Sequence, residues 1–276
     1  MDKTKKQELE QFALKIRIGA MEQFKARGFG HVGGSLSIAD ALAVLYGSQM
    51  TVDPQNPKKP DRDKLVCSKG HAGPAVYATL ALKGFFPYEL LKTLNQPGTT
   101  LPSHCDRNKT PGVDMTTGSL GQGASLACGM ALADKLRGYA NRVFLIVGDG
   151  EANEGQVWEA CMFAAAKRLD NLVLLLDSNK KQLDGPVSEI LEPFDFAKKF
   201  EAFGFDAVAI DGNDVEALYD ALERTRKPAG KPFAIVMNTV KGKGVAECET
   251  AAGNHSMTMP AEKWAEWQDG LKAQLD

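Results

Sequence analysis

An aspartate framed by glycines, Gly148-Asp149-Gly150, closes a short apolar run, and Asn179 closes the next one, thirty residues after Asp149. A carboxylate and an amide oxygen are hard ligands. Completed by a backbone carbonyl, water and phosphate oxygens, they suit Mg²⁺, which prefers octahedral oxygen coordination. The glycine beside Asp149 leaves bare backbone that a diphosphate can approach closely. Gly-Asp-Gly alone is more often a tight turn, and an Asn at a strand end more often a helix cap. The thirty-residue interval holds one helix and a return loop, however, and brings both side chains to one point, which favours the metal. The four histidines, His31, His71, His104 and His255, all lie in or beside glycine-rich or polar segments, none in a periodic apolar stretch. An isolated histidine is usually structural, but four in loop-like positions point to function. Imidazoles can donate to a developing alkoxide and carry its proton near neutral pH.

The elements that must position these groups can be read from hydrophobic patterning. Residues 143–147 (Val-Phe-Leu-Ile-Val) and 172–176 (Leu-Val-Leu-Leu-Leu) are apolar without alternation, as strands covered on both faces are. Further strands are expected at 65–67, 206–210 and 233–240, and helices at 119–136, 154–168, 197–203 and 214–226. Alternation of strand and helix predicts a doubly wound α/β fold with a mostly parallel sheet flanked by helices. Ligands of such sheets bind beyond the carboxyl ends of the strands, where Asp149 and Asn179 fall. The whole of 1–276 reads as one domain. Helices at 5–27 and 37–49, joined by the glycine-rich 28–34, form its amino-terminal part, and a short amphipathic helix at 260–275 ends it.

Composition narrows the function classes. The chain has 276 residues, 43% hydrophobic and 25% charged, long enough for a substantial core. Its net charge of −2 gives no electrostatic case for nucleic acid. The stretch 58–64 (Lys-Lys-Pro-Asp-Arg-Asp-Lys) reads as a solvated loop rather than a polyanion site. Five cysteines without C-x-x-C spacing argue against a disulfide framework or zinc site and suit a reducing cytoplasm. Cys105 beside His104 is read as bland. No apolar run reaches transmembrane length, so no membrane role is expected.

Four blocks then resemble transketolases: Gly30-His-Val-Gly-Gly-Ser35; Ser68-Lys-Gly-His71; Lys109 through Gly123, which contains Gly118-Ser119-Leu120; and Gly148 through Gly155. Gly-Asp-Gly followed at this spacing by Asn is also the thiamine-diphosphate fingerprint. The resemblance implies a thiamine-diphosphate-binding fold and assigns residues in turn. Asp149, Asn179 and the main-chain oxygen of Lys181 would be ligands of Mg²⁺. Gly150 and His71 would meet the diphosphate, and Gly118-Ser119-Leu120 would line the cofactor. His31, His104 and His255 would surround the reactive carbon and the sugar, with His255 also beside the cofactor. One departure concerns the sugar site: where the family often has Gly-His-Pro, this chain has Ser103-His104-Cys105.

The family also implies a missing part. Its cofactor needs a carboxylate at the pyrimidine, supplied by a second α/β domain from the neighbouring protomer, and Glu151, Glu154 and Glu159 match no such role. The Ser-Lys-Gly-His-Ala-Gly-Pro form of the second block resembles split transketolases. The resemblance therefore implies an amino-terminal subunit that transfers a two-carbon ketol unit from a ketose phosphate to an aldose. It would be active only with a carboxy-terminal subunit, as a heterotetramer. Two other readings are a deoxyxylulose-phosphate synthase-like thiamine enzyme and a non-catalytic cofactor-binding regulatory partner.

Overall fold

The computed structural model describes residues 1–275. Among them seven strands are formed: β1 (Phe29–Gly30), β2 (Lys64–Cys67), β3 (Val143–Gly148), β4 (Leu172–Ser178), β5 (Asp206–Asp211), β6 (Phe233–Asn238) and β7 (Met257–Thr258). Five of them make an all-parallel sheet in the order β2-β3-β4-β6-β5. The short β1 and β7 pair antiparallel apart from it, carrying the last part of the chain back to the segment before His31. The helices are α1 (Lys3–Arg27), α2 (Val32–Leu36), α3 (Ala39–Val44), α4 (Gly73–Leu82), α5 (Gln122–Leu136) and α6 (Gly155–Ala166). They continue with α7 (Val187–Ile190), α8 (Phe196–Ala202), α9 (Val215–Glu223), α10 (Ala246–Thr250) and α11 (Ala261–Lys272).

The two-residue period of a strand sends alternate side chains to opposite faces, and here both faces are apolar. Phe144, Ile146, Val173 and Leu175 join one core with α1, α3, α4, α9 and α11. Val143, Leu145, Leu172 and Leu174 join a second core with α5, α6 and α8. Each such leucine or valine, fully buried, contributes about 1.5–3 kcal/mol relative to exposure. The doubly wound α/β fold expected from the sequence is therefore present, with helices on both faces of a parallel sheet.

Several boundaries differ, each for a local reason. The helix expected from residue 119 begins at Gln122, because Gly121 is left-handed at φ 83°. Gly118-Ser119-Leu120 is thus left as free backbone ahead of the helix. The helix expected at 37–49 loosens after Val44 into a π turn at Leu45–Gln49, closed by the Met50 N–H donating to Leu45 O at 2.7 Å. The strand expected to reach 240 stops at Asn238 because the Val240 N–H leaves the ladder for the Asn213 side chain, at 2.8 Å. Helix α4 has no counterpart among the expected elements. It is buried along almost its whole length, so it lacks the polar stripe that marks a surface helix. Among the described residues no helix is long and apolar enough to cross a membrane.

Candidate functional site

Strands β3 and β4 end side by side, with Gly148 opposite Asp177, and the Asp149 N–H donates to Asp177 O at 3.1 Å. The backbone after β4 then folds over Asp149. Lys180 takes a left-handed φ of 67°, uncommon for a side-chain-bearing residue, and its N–H donates to Asp149 Oδ2 at 2.6 Å. Asp149 Oδ1 accepts the Gly150 N–H at 2.8 Å. Burial, and then the nearby Asp177 carboxylate, push the Asp149 pKa up to about 6. A buried carboxylate raised in this way is poorly compensated, and a bound divalent ion would reverse the shift.

Asn179 is held by its amide nitrogen, which donates to Asp177 Oδ2 at 2.9 Å. Its oxygen accepts the Lys181 N–H at 3.2 Å. The Lys181 carbonyl faces a cation already, accepting from Lys241 Nζ at 3.0 Å. One carboxylate, one amide oxygen and one carbonyl oxygen thus gather on a single loop pair, a donor set of the kind Mg²⁺ takes. Among the described residues no cluster of three His, Cys, Asp or Glu side chains could hold a metal, so a zinc-type site is absent there.

Beneath this loop pair lies a buried polar floor whose Lys69 and Glu151 fall inside the motif blocks but carry no assigned role there. Lys69 and Asp177 form an ion pair, both almost wholly inaccessible. Lys69 Nζ also donates to Gly34 O at 2.7 Å, while Asp177 accepts from Ser37 and Thr239. Burial alone would raise the Asp177 pKa, but Lys69 and these hydrogen bonds more than offset it and hold the carboxyl below its ordinary value. Glu151 is the second tie. It accepts from the Ser68 hydroxyl and from the Gly121 and Gly148 N–H groups, joining the turn after β2, the end of β3 and the start of α5. A lysine between Ser68 and Gly70 and an acid at the foot of an apolar run were the available signals. Neither shows its partner in sequence, because the Lys69–Asp177 contact spans 108 residues.

The four histidines converge. His31 is central, with ring centroids 5.7 Å from His71, 5.6 Å from His104 and 5.5 Å from His255, and His71 lies 4.8 Å from His255. Burial is the first cause holding all four imidazoles below their ordinary pKa, well below it for His71. His255 is pushed down to about 4, by burial and then by Lys241, whose Nζ is 3.4 Å from its Nδ1. The cluster is therefore neutral at pH 7. Neutral imidazole offers one donor and one acceptor, suited to hydroxyl and carbonyl groups. Lys241 itself is lowered to about 8, chiefly by burial and then by Lys69.

Glycine is required where backbone meets this cluster. Gly118 has φ 142°, and a Cβ there would lie 3.0 Å from the His104 ring. At Gly34 a Cβ would come within 3.0 Å of His71 Nε2. At both positions the missing side chain lets the backbone pass close to the histidine rings. The described geometry brings His31, His71, His104, Gly118, Asp149, Gly150, Asn179, Lys181 and His255 to one end of the sheet. Ser119 and Leu120 lie exposed on the adjoining turn. All five cysteines are buried and free, and burial raises the Cys105 thiol to about 12, in keeping with its bland reading.

Residues 9–273 match the family model "Transketolase, thiamine diphosphate binding domain". The chain is 51% identical to the 6-deoxy-6-sulfo-D-fructose transketolase subunit SqwG of a Clostridium species, over 93% of this chain and 94% of that one. It is 40% identical to an apulose-4-phosphate transketolase subunit of Actinobacillus succinogenes, over 80% and 79%. Among solved structures, the transketolase of Leishmania mexicana superposes with a TM-score of 0.87 at 31% identity, covering 97% of this chain and 41% of that one. The chain belongs to the transketolase thiamine-diphosphate-binding family, the cofactor-binding part of ketol-transferring enzymes. It spans less than half of that solved transketolase and nearly all of the relative named as a separate transketolase subunit. In length and family it corresponds to the amino-terminal subunit of a split transketolase.

Proposed function

We propose that the chain is the amino-terminal, cofactor-holding subunit of a split transketolase that moves a two-carbon ketol unit from an anionic ketose to an aldose. It acts only when joined to a carboxy-terminal subunit. The observation that carries this reading is the pairing of a neutral four-histidine cluster with the Asp149–Asn179 loop pair at one sheet edge. The readings as a deoxyxylulose-phosphate synthase-like enzyme or a non-catalytic regulatory partner are not favoured by relatives named as transketolase subunits.

Bound thiamine diphosphate supplies the nucleophilic carbon and the electron sink for carbon–carbon cleavage. The chain's own residues bind and orient. Asp149, Asn179 and the Lys181 carbonyl hold Mg²⁺. The Gly150 N–H, which donates to Asp149 Oδ1, and His71 would hold the diphosphate. The Gly118-Ser119-Leu120 backbone lines the cofactor. His31, His104 and His255 hold the sugar hydroxyls and carbonyl and exchange the proton at the carbonyl oxygen, a task for which neutral imidazoles are suited. The buried floor of Lys69, Asp177 and Glu151 keeps these groups in register.

The donor ketose carries a terminal phosphate or sulfonate. The relative at 51% identity is named for a sulfonated ketose and the one at 40% for a ketose phosphate. Two copies of this chain and two of the partner form a heterotetramer, the closed two-fold arrangement being the commonest. The test is to assay the co-purified pair, with thiamine diphosphate and Mg²⁺, against ketose phosphates, 6-deoxy-6-sulfo-D-fructose and neutral ketoses. Turnover of at least one anionic ketose over its neutral counterpart supports the proposal; turnover of none, with a folded pair, refutes it.

A further inference from the structure

A cavity lies away from the histidine cluster, between the loop leading into β2, the loop 105–117 and the end of α5. Its volume is about 630 Å³, in the size range of small-ligand sites. Seven basic side chains line it against two carboxylates, Asp114 and Asp134. Both carboxylates are buried and already committed: Asp114 to Arg62 and the Leu65 N–H, Asp134 to Lys64 and Asn141. Lys59 is matched by Asp61 just outside. Lys58, Arg107, Lys109 and Arg137 remain, exposed and without a carboxylate partner among the described residues. Arg137 has an ordinary reason to be there, since a cation complements the carboxyl end of α5. The other three have none in the described structure, and they face one cavity from two separate segments. Val113, Met115 and Met130 give that cavity an apolar floor.

The loop 105–117 is pinned by its own hydrogen bonds. The Thr117 N–H donates to Cys105 O and the Arg107 N–H to Thr116 Oγ1, both at 3.1 Å. Arg107 and Lys109 are therefore presented on a fixed turn. Opposite them, the stretch 58–64, which by composition alone reads as a solvated loop, is anchored by the buried Arg62 and Lys64 pairs. Cations that no carboxylate neutralises, on fixed supports around a half-open cavity with an apolar floor, match a small organic anion. Phosphate groups suit them best, because guanidinium binds phosphate through two parallel hydrogen bonds and ammonium as a point charge.

We propose that this cavity is a second ligand site, separate from the cofactor site, for a small organic phosphate carrying two or more negative charges. A convenient probe is 2,3-bisphosphoglycerate, which has no ketose or aldehyde group and so is neither donor nor acceptor. It is titrated calorimetrically into the full chain with thiamine diphosphate and Mg²⁺ present, so that diphosphate-type binding at the cofactor site is blocked. The expected result is one equivalent bound, with a Kd on the order of 0.1 mM that weakens as salt is raised. The variant Arg107→Gln/Lys109→Gln, changed only at exposed tip positions and checked for an unaltered melting temperature, should bind at least tenfold more weakly. Lys198→Gln/Lys227→Gln, elsewhere on the surface, should bind as the parent does. No binding of the probe, or equal binding by the parent and the Arg107/Lys109 variant, overturns the proposal. So does complete loss of probe binding on adding the proposed carboxy-terminal subunit, which would assign these cations to an acidic segment of that partner.

Discussion

The two sides of the candidate site are built in opposite ways. On the inner side, Lys69, Asp177 and Glu151 are buried, and every carboxylate oxygen there has a donor. On the outer side, apolar groups stand in solvent. Leu120 lies on the turn before α5 and Met162 (56% accessible) on α6, while Leu183 (68%) and Phe194 (78%) flank the loop after β4. A monomer seldom leaves large contiguous apolar patches exposed. The contrast fits the proposed function, in which this chain completes the half of the site that would hold a diphosphate and a metal and meets a partner subunit on its outer side. Helix α6 shows both sides in twelve residues: Val157, Cys161 and Ala164 are buried in the core, while Met162 and Phe163 face outward.

If the inner floor is as tightly determined as its hydrogen bonds indicate, breaking it should produce the largest effect on the chain itself. Lys69→Met leaves Asp177 buried without its cation and should cost about 3–5 kcal/mol in chemical denaturation. A loss below about 1 kcal/mol would mean that the floor is not rigid. Asp149→Ala should leave the fold nearly intact. In the assembled enzyme it should weaken Mg²⁺-dependent cofactor binding at least tenfold, about 1.4 kcal/mol; unchanged affinity by calorimetry would remove Asp149 from the metal site. On the outer side the expectation reverses. Met162→Ser/Phe163→Ser should change the stability of the lone chain by no more than about 0.5 kcal/mol per substitution, as exposed positions do, while weakening association with the partner. If stability falls by several kcal/mol instead, α6 is packed in the domain and the comparison fails.

A further effect is on pH. His255 titrates near 4 in the folded chain and near the ordinary 6.5 when unfolded. Between these values the unfolded state binds the extra proton, so stability falls as pH drops from about 6.5 toward 4 and is insensitive to this group below that. Histidine ring resonances followed by NMR through this range should show His255 still neutral at pH 5.5. A midpoint near 6.5 would place it outside the cluster.

How much of this is legible in the sequence follows from what each feature depends on. Strands β3 and β4 can be read because burial on both faces removes alternation, and the residues at the sheet edge because Asp149 and Asn179 close those runs. The buried helix α4 gives no helical signature for the corresponding reason: a segment apolar all round has no stripe to detect. The start of α5 falls three residues later than patterning suggests, since only the left-handed Gly121 ends the preceding turn. The polar floor is illegible because Lys69 with Asp177, Ser68 with Glu151 and Lys241 with Lys181 are tertiary pairings between distant segments. Histidine convergence, by contrast, needs only that all four occupy loops at the same end of the sheet.

On the proposed function, this chain carries one half of an active site. The most direct test measures ketol transfer by the purified chain with saturating thiamine diphosphate and Mg²⁺, before and after adding the carboxy-terminal subunit. No detectable turnover alone and clear turnover after addition is the expected result. Robust turnover by the chain alone, in a preparation shown free of the partner, would contradict it.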